Sequence, residues 1–198
     1  PVRVAVARAE EPSVLEGLAL AYEAGLVVPL LFGDEAKIQA CLSKLGLGAD
    51  WEIRHLEADD RGVANAAAQA VGQGEAQVLM KGMMHTGALF SAVLARENGL
   101  RKNAVLSHLM LVQVAQYPKL FGTTDGGLIV SPTFEQKTAI LRNAIEALWA
   151  LGYEEPKIGL LSYVEKARED DPETWDWHLL SEMARAGEFG RALVDGPL

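Results

Sequence analysis

The chain has 198 residues, 49% hydrophobic and 23% charged, a globular mix that excludes extended disorder and suits one large domain or two small ones. Eighteen basic against twenty-seven acidic residues leave a net charge of −9, which opposes general nucleic-acid binding and demands local positive charge wherever an anion is held. The single cysteine, Cys41, rules out an intrachain disulfide, suits a reducing compartment, and sits in an amphipathic pattern that predicts a small buried core residue.

Residues 2–7 are β-branched and alanine-rich and predict a buried parallel strand. The chain thus starts on a strand, with no signal peptide and no apolar run long enough to span a bilayer, and is expected to be cytoplasmic. Pro12 opens a helix over 13–24 and Gly25 closes it. A second strand covers 27–32. Asp34 is placed as the N-cap of a helix running to about Leu45, with Gly46 as its stop. A short strand over 52–56 precedes an alanine-rich helix over 62–71, capped by Asp59 or Asp60 and small enough to pack closely on a sheet. A strand over 77–80 and a helix from Gly87 to about Glu97 follow.

The second half continues the alternation. Residues 104–114 form a longer apolar run that predicts a strand, and 123–130 is glycine-rich with an early acid. A helix over 134–151 places Ile140, Leu141, Ala144, Leu148 and Leu151 on one face and stops at Gly152. A strand over 157–162, a helix over 172–186 and a last strand over 192–194 complete the chain. This density of alternation predicts an α/β fold of mostly parallel sheets with helices on both faces. A change of character at 99–103 divides it into lobes over 1–102 and 103–198. No internal repeat is found.

The segment with most chemical content is V-L-M-K-G-M-M-H-T, residues 78–86, a strand delivering its carboxyl end to a loop that opens a helix. Open α/β sheets bind ligands there. Lys81 supplies charge, with Arg101 and Lys102 as further cations; Gly82 allows close backbone approach, and the helix start favours an anion. A solvated turn is the plain alternative. Thr86 reads either as a simple N-cap or as a ligand contact, and His85 stands beside it. Ser107 and His108 fall in the predicted strand, where neighbouring side chains face opposite ways, so they form no nucleophile–base couple by themselves. Asp125, before two glycines, reads as a turn aspartate. Ser162, Glu165 and Lys166 read as a helix cap with solvated charges. Trp175, Trp177 and His178 read as a packing or oligomer patch.

Several chemistries lack their signatures. No P-loop is present. Gly72 and Gly74 precede a strand and lack the third glycine of a dinucleotide fingerprint. No G-x-S-x-G elbow and no H-E-x-x-H occur, and four scattered histidines with one cysteine disfavour structural zinc.

Taken in order, these segments resemble the phosphate acetyl/butyryltransferase family, and more closely its butyryl branch. The likeness runs from Val4 almost to the end: the 78–86 segment, V-L-S-H at 105–108, T-D at Thr124 and Asp125, Lys137, N-A at Asn143 and Ala144, P-K-I-G-L-L-S-Y-V-E-K at 156–166, and V-D-G-P-L at 194–198. The resemblance implies a two-lobed, isocitrate/isopropylmalate dehydrogenase-like fold with a cleft, assembled as a homodimer or larger homo-oligomer. It implies exchange of a butyryl or acetyl group between coenzyme A, a substrate here, and inorganic phosphate, with no metal required and no nucleic-acid or membrane partner. It places Lys81, Gly82, His85 and Thr86 at the phosphate end, Ser107 and His108 on the second lobe with Asp125 nearby, and Ser162 among the binding residues.

Two departures from the family pattern stand out. Ser91 occupies a position that is commonly basic. Family chains also continue beyond D-G-P-L with a Ser-Arg motif and an aspartate that complete the site and the first lobe. The catalytic residues therefore stay unassigned, Asp125 being one candidate carboxylate. The alternative is a truncated or divergent non-catalytic paralogue that binds coenzyme A or acyl phosphate. A related hydroxy-acid dehydrogenase would need arginine and metal-binding aspartate clusters that the sequence does not show.

Overall fold

The computed structural model describes residues 1–47, 50–103 and 105–198. The chain divides into two compact units, Pro1–Lys102 and Asn103–Leu198.

The first unit alternates strand and helix throughout: β1 (Val2–Ala7), α1 (Pro12–Glu23), β2 (Val27–Gly33), α2 (Glu35–Lys44), β3 (Glu52–His55), α3 (Asp60–Gly72), β4 (Val78–Lys81) and α4 (Thr86–Leu94). All pairings in its four-stranded sheet are parallel, in the order β3-β2-β1-β4. β1 is central, with Val4 opposite Pro29 on one side and Val78 on the other. Alternation of side chains along β1 builds two cores. Ala5 and Ala7 join Leu30, Phe32 and the alanines of α3, while Val4 and Val6 join Leu31 and the apolar faces of α1 and α2. Helices thus cover both faces of this sheet.

Sequence-level signals set the helix ends. Asp34 accepts from the Lys37 amide at 3.2 Å, and Asp59 accepts from the Gly62 amide at 2.9 Å. α4 ends at Leu94, earlier than expected, and the chain then makes a 3-10 turn over Arg96–Asn98. A Cβ on Gly72 would stand 1.9 Å from the Asn98 carbonyl oxygen, so glycine lets this turn lie against α3. Cys41 is half-buried at the edge of the second core rather than within it. It occupies the outer part of the α2 face, where the Sγ approaches the Glu10 carbonyl at 3.8 Å.

The second unit holds β5 (Met110–Val114), β6 (Tyr117–Thr123), α5 (Phe134–Ala150), β7 (Lys157–Gly159), α6 (Pro172–Arg185) and β8 (Leu193–Asp195). β7 and β8 pair in parallel, and their bonding continues through Leu160, Ser162 and Leu198. Leu141, Ile145, Leu180, Phe189 and Val194 form the core. Thr133 and Gln136 make a reciprocal capping box at the start of α5.

The strand expected over 104–114 begins only at Met110, Ala104 lying outside the described residues, and 105–109 has no regular structure. β5 is not buried: Met110 and Leu111 are exposed, and it pairs antiparallel with β6 across a two-residue link. These apolar side chains lie on a two-stranded hairpin. Pro118 and Lys119 disguised β6. The segment at 162–166 caps no helix, since α6 starts at Pro172 with Asp171 as its N-cap. Among the described residues, no helix is long and apolar enough to cross a membrane.

Phe32 is 2% exposed in the core under α3. Phe32→Ala should cost about 3–5 kcal/mol in denaturant unfolding, the range for emptying a large buried site.

Candidate functional site

Parallel pairing brings all four strands of the first sheet to one carboxyl edge. β4 leaves that edge against the end of β1. The Gly82 amide donates to the Ala7 carbonyl at 2.7 Å, and the Met83 amide donates to the Arg8 carbonyl at 3.0 Å. A Cβ on Gly82 would stand 1.8 Å from the Arg8 carbonyl oxygen. The space this glycine leaves is filled by the neighbouring backbone, so the residue serves the strand junction and offers that side to no ligand. Lys81 is exposed, and its Nζ donates to the Met84 carbonyl at 3.0 Å, which ties the ammonium to its own loop.

Arg8, absent from the sequence-based candidates, emerges as the ordered cation of this edge. Its backbone has φ 59°, a left-handed conformation uncommon outside glycine. Its Nε donates to Asp60 Oδ1 at 2.9 Å and its Nη2 donates to the Ala58 carbonyl at 2.5 Å, while Nη1 lies 3.5 Å from Glu10 Oε1. Glu10 in turn accepts from the Asp34 amide at 2.8 Å, joining the end of β1 to the start of α2. The other Asp60 oxygen accepts from the His85 amide at 3.4 Å. The Arg8 hydrogen bond, opposed by partial desolvation and reinforced by the His85 amide, holds the Asp60 carboxyl below its ordinary value near 3.8.

His85 is the N-cap of α4, with no side-chain capping bond, and Thr86 is the first helical residue rather than the cap. Both are exposed. Arg8, Asp60, Arg61, His85 and Gly87 line a hollow of about 680 Å³. Arginine donors, an imidazole and the outward amides of a helix start suit a phosphoryl group, while Asp59 and Asp60 offset the charge. Ser91 returns its hydroxyl to the Gly87 carbonyl at 2.8 Å.

In the second unit, Ser107, His108 and Asp125 come together. Asp125 accepts from the amides of His108 at 3.0 Å, Ile129 at 3.0 Å and Leu128 at 3.5 Å. Thr124 Oγ1 donates to the His108 carbonyl at 2.6 Å, and Asn143 Nδ2 donates to Ser107 Oγ at 2.9 Å and to the Val105 carbonyl at 3.0 Å. The aspartate therefore organises two backbone segments, and its oxygens are engaged by amides. Ser162 is half-buried; its amide donates to the Leu198 carbonyl, and its hydroxyl has no hydrogen-bond partner among the described residues.

Lys137, part of the motif series without an expected role, is a largely buried cation of the second unit. Its side chain is 9% exposed. The Nζ pairs with Asp176 at 2.9 Å and lies 4.5 Å from the centre of the Trp177 ring. Arg8 belongs to no motif, and the placement of Lys137 against Asp176 and Trp177 depends on contacts that its motif does not display. Among the described residues, no three His, Cys, Asp or Glu side chains gather to hold a metal.

Residues 52–198 match the profile of the family described as phosphate acetyl/butaryl transferase. The phosphate acetyltransferase of Rickettsia felis is 34% identical over 200 residues, covering 100% of this chain and 57% of that protein. The phosphate butyryltransferase of Clostridium acetobutylicum is 32% identical over 197 residues, covering 99% and 65%. Acetyl and butyryl relatives thus match almost equally. A branched-chain phosphotransacylase from Enterococcus faecalis superposes with a TM-score of 0.82 at 27% identity, over 100% of this chain and 68% of that one. A 4-hydroxythreonine-4-phosphate dehydrogenase from Burkholderia phymatum shares the fold alone, with a TM-score of 0.51 at 14% identity. The chain spans less than two thirds of the length of these curated relatives.

Two outcomes test this geometry. Gly82→Ala should cost about 1–3 kcal/mol or more through backbone collision, whereas exposed Thr86→Ala should stay within about 0.5 kcal/mol, both read by denaturant unfolding. A depressed folded-state value means that the Asp60 contribution is complete above its ordinary pKa and is lost as pH falls through the folded one. The acid limb of wild-type stability below about pH 3.8 should therefore be steeper than that of Asp60→Asn.

Proposed function

Because the chain belongs to the phosphate acetyl/butaryl transferase family, we propose that it serves the exchange of an acetyl or butyryl group between coenzyme A and inorganic phosphate. The observation that carries this reading is the family match over 52–198, which includes the loop of His85 and the segments of Ser107, Asp125 and Ser162. The two-lobed, dehydrogenase-like architecture, the homo-oligomeric assembly and the absence of a metal requirement come with the same reading.

In the direction of acyl-coenzyme A formation, the thiol gives up its proton and sulfur attacks the carbonyl carbon of the acyl phosphate. The carbon–oxygen bond to phosphate then breaks and phosphate leaves. Negative charge grows on the carbonyl oxygen and on the departing group, so donors fixed in advance lower the barrier. We assign the phosphoryl end to the hollow of Arg8, Arg61, His85 and the first turn of α4, with Thr86 as a further contact. Lys81 and Gly82 shape the loop that carries His85. Ser107, His108 and Ser162 act as binding residues of the second unit, Ser107 held by Asn143 and His108 by Asp125. Asp125 is a positioning residue on this reading, because backbone amides occupy its oxygens.

That engagement of Asp125 also favours a second reading, in which the chain binds coenzyme A or acyl phosphate without turnover. Incubation with acetyl- or butyryl-coenzyme A and phosphate, following free thiol, separates the two. Acyl transfer predicts thiol release. Saturable binding of acetyl phosphate by calorimetry without thiol release supports the binding reading, and absence of both overturns each. Where acetyl phosphate binds, Arg61→Ala should weaken it about tenfold, or about 1.4 kcal/mol.

A further inference from the structure

We infer that the second unit contains its own seat for a short-chain carboxylate or acyl group, with the head on Lys137 and the tail among the apolar side chains of α5. A hollow of about 690 Å³ lies within this unit. Its size is that of a small-molecule site, and such sites combine apolar walls with a few convergent polar groups. Ile140, Ala144 and Leu148 supply one wall from a single face of α5, and Ile129 and Leu160 contribute from elsewhere in the unit. Lys137 stands one turn earlier on the same helix and also lines the hollow.

The polar groups there ask for oxygen atoms. Lys137 is a cation nine-tenths buried, with three N–H donors, of which one pairs with Asp176 while the Trp177 ring lies beside the ammonium. Trp177 lines the hollow too, and its buried indole Nε1–H has no hydrogen-bond acceptor among the described residues. A buried donor without an acceptor is costly and uncommon. The charged groups lining the hollow are Lys137 and Lys157 against Asp125, a carboxylate whose oxygens are already engaged by backbone amides. An ammonium and an idle indole donor beside an aliphatic wall complement a carboxylate or thioester carbonyl bearing a short alkyl chain, and disfavour an amine.

The role of this seat as a holder of the transferred acyl chain rests on the acyltransferase reading; binding itself does not. Hexanoate and hexylamine are therefore titrated into the wild-type chain, following tryptophan fluorescence and heat. Saturable hexanoate binding is expected at concentrations where hexylamine gives none. Lys137→Met should weaken hexanoate at least tenfold, and Ala144→Phe, which projects a ring into the hollow, should abolish binding, with circular dichroism confirming that each variant is folded. The inference is overturned if hexanoate does not saturate, if hexylamine binds as well, or if folded variants bind like wild type. It is equally overturned if concentration-dependent self-association covers the hollow and excludes hexanoate. Failure of thiol release beside intact hexanoate binding would count against the acyltransferase reading alone.

Discussion

Two backbone hydrogen bonds organise the first unit: Gly82 to Ala7 and Met83 to Arg8, where β4 leaves the sheet against the end of β1. They require a residue without a side chain at 82, because the Arg8 carbonyl occupies the place of any Cβ. They set the carbonyl direction of Arg8, whose backbone turns left-handed immediately after the strand. The guanidinium then reaches Asp60 and the Ala58 carbonyl, and Asp60 reaches the His85 amide. The loop that opens α4 is thus tied to β1 through its main chain and through a carboxylate on α3. The acid sensitivity of Asp60 and the steric demand at Gly82 are two aspects of one junction.

That junction also reconciles an acidic chain with the anion site proposed at this edge. At a net charge of −9 the long-range field opposes phosphate. The Arg8 guanidinium is partly neutralised by the carboxylates of Asp60 and Glu10 that orient it. What remains favourable is local: guanidinium donors held in fixed directions and the orphan amides of a helix start. Such a site selects by hydrogen-bond geometry more than by attraction at a distance.

Much of the first unit was legible from sequence. Period and punctuation agree there: Pro12 opens α1, Asp34 and Asp59 cap their helices, and β1 is buried on both faces as its composition implies. The second unit was less legible because its apolar residues have two destinations. Leu141 and Ile145 of α5 enter a core, whereas Met110 and Leu111 lie exposed on a hairpin. The site showed the same division. The loop of Lys81, Gly82, His85 and Thr86 was visible as a strand-to-helix junction. The commitment of Lys81 to Met84, the backbone duty of Gly82 and the prominence of Arg8 all depend on distances between segments far apart in sequence. Asp125 looked like a simple turn residue, yet it joins two stretches of chain through three amides.

The central place of β1 in its sheet bears on how the chain comes together during synthesis. Its partners arrive at different times: β2 follows within one crossover, but Val78, which pairs with Val4, emerges only after two further helices have been made. Until then one edge of the innermost strand has no neighbour. Contacts of such long sequence separation form slowly and leave apolar edges open meanwhile. A ribosome that has released β2 and β3 still carries a half-built sheet, and the segment that later presents His85 is the one whose arrival closes it.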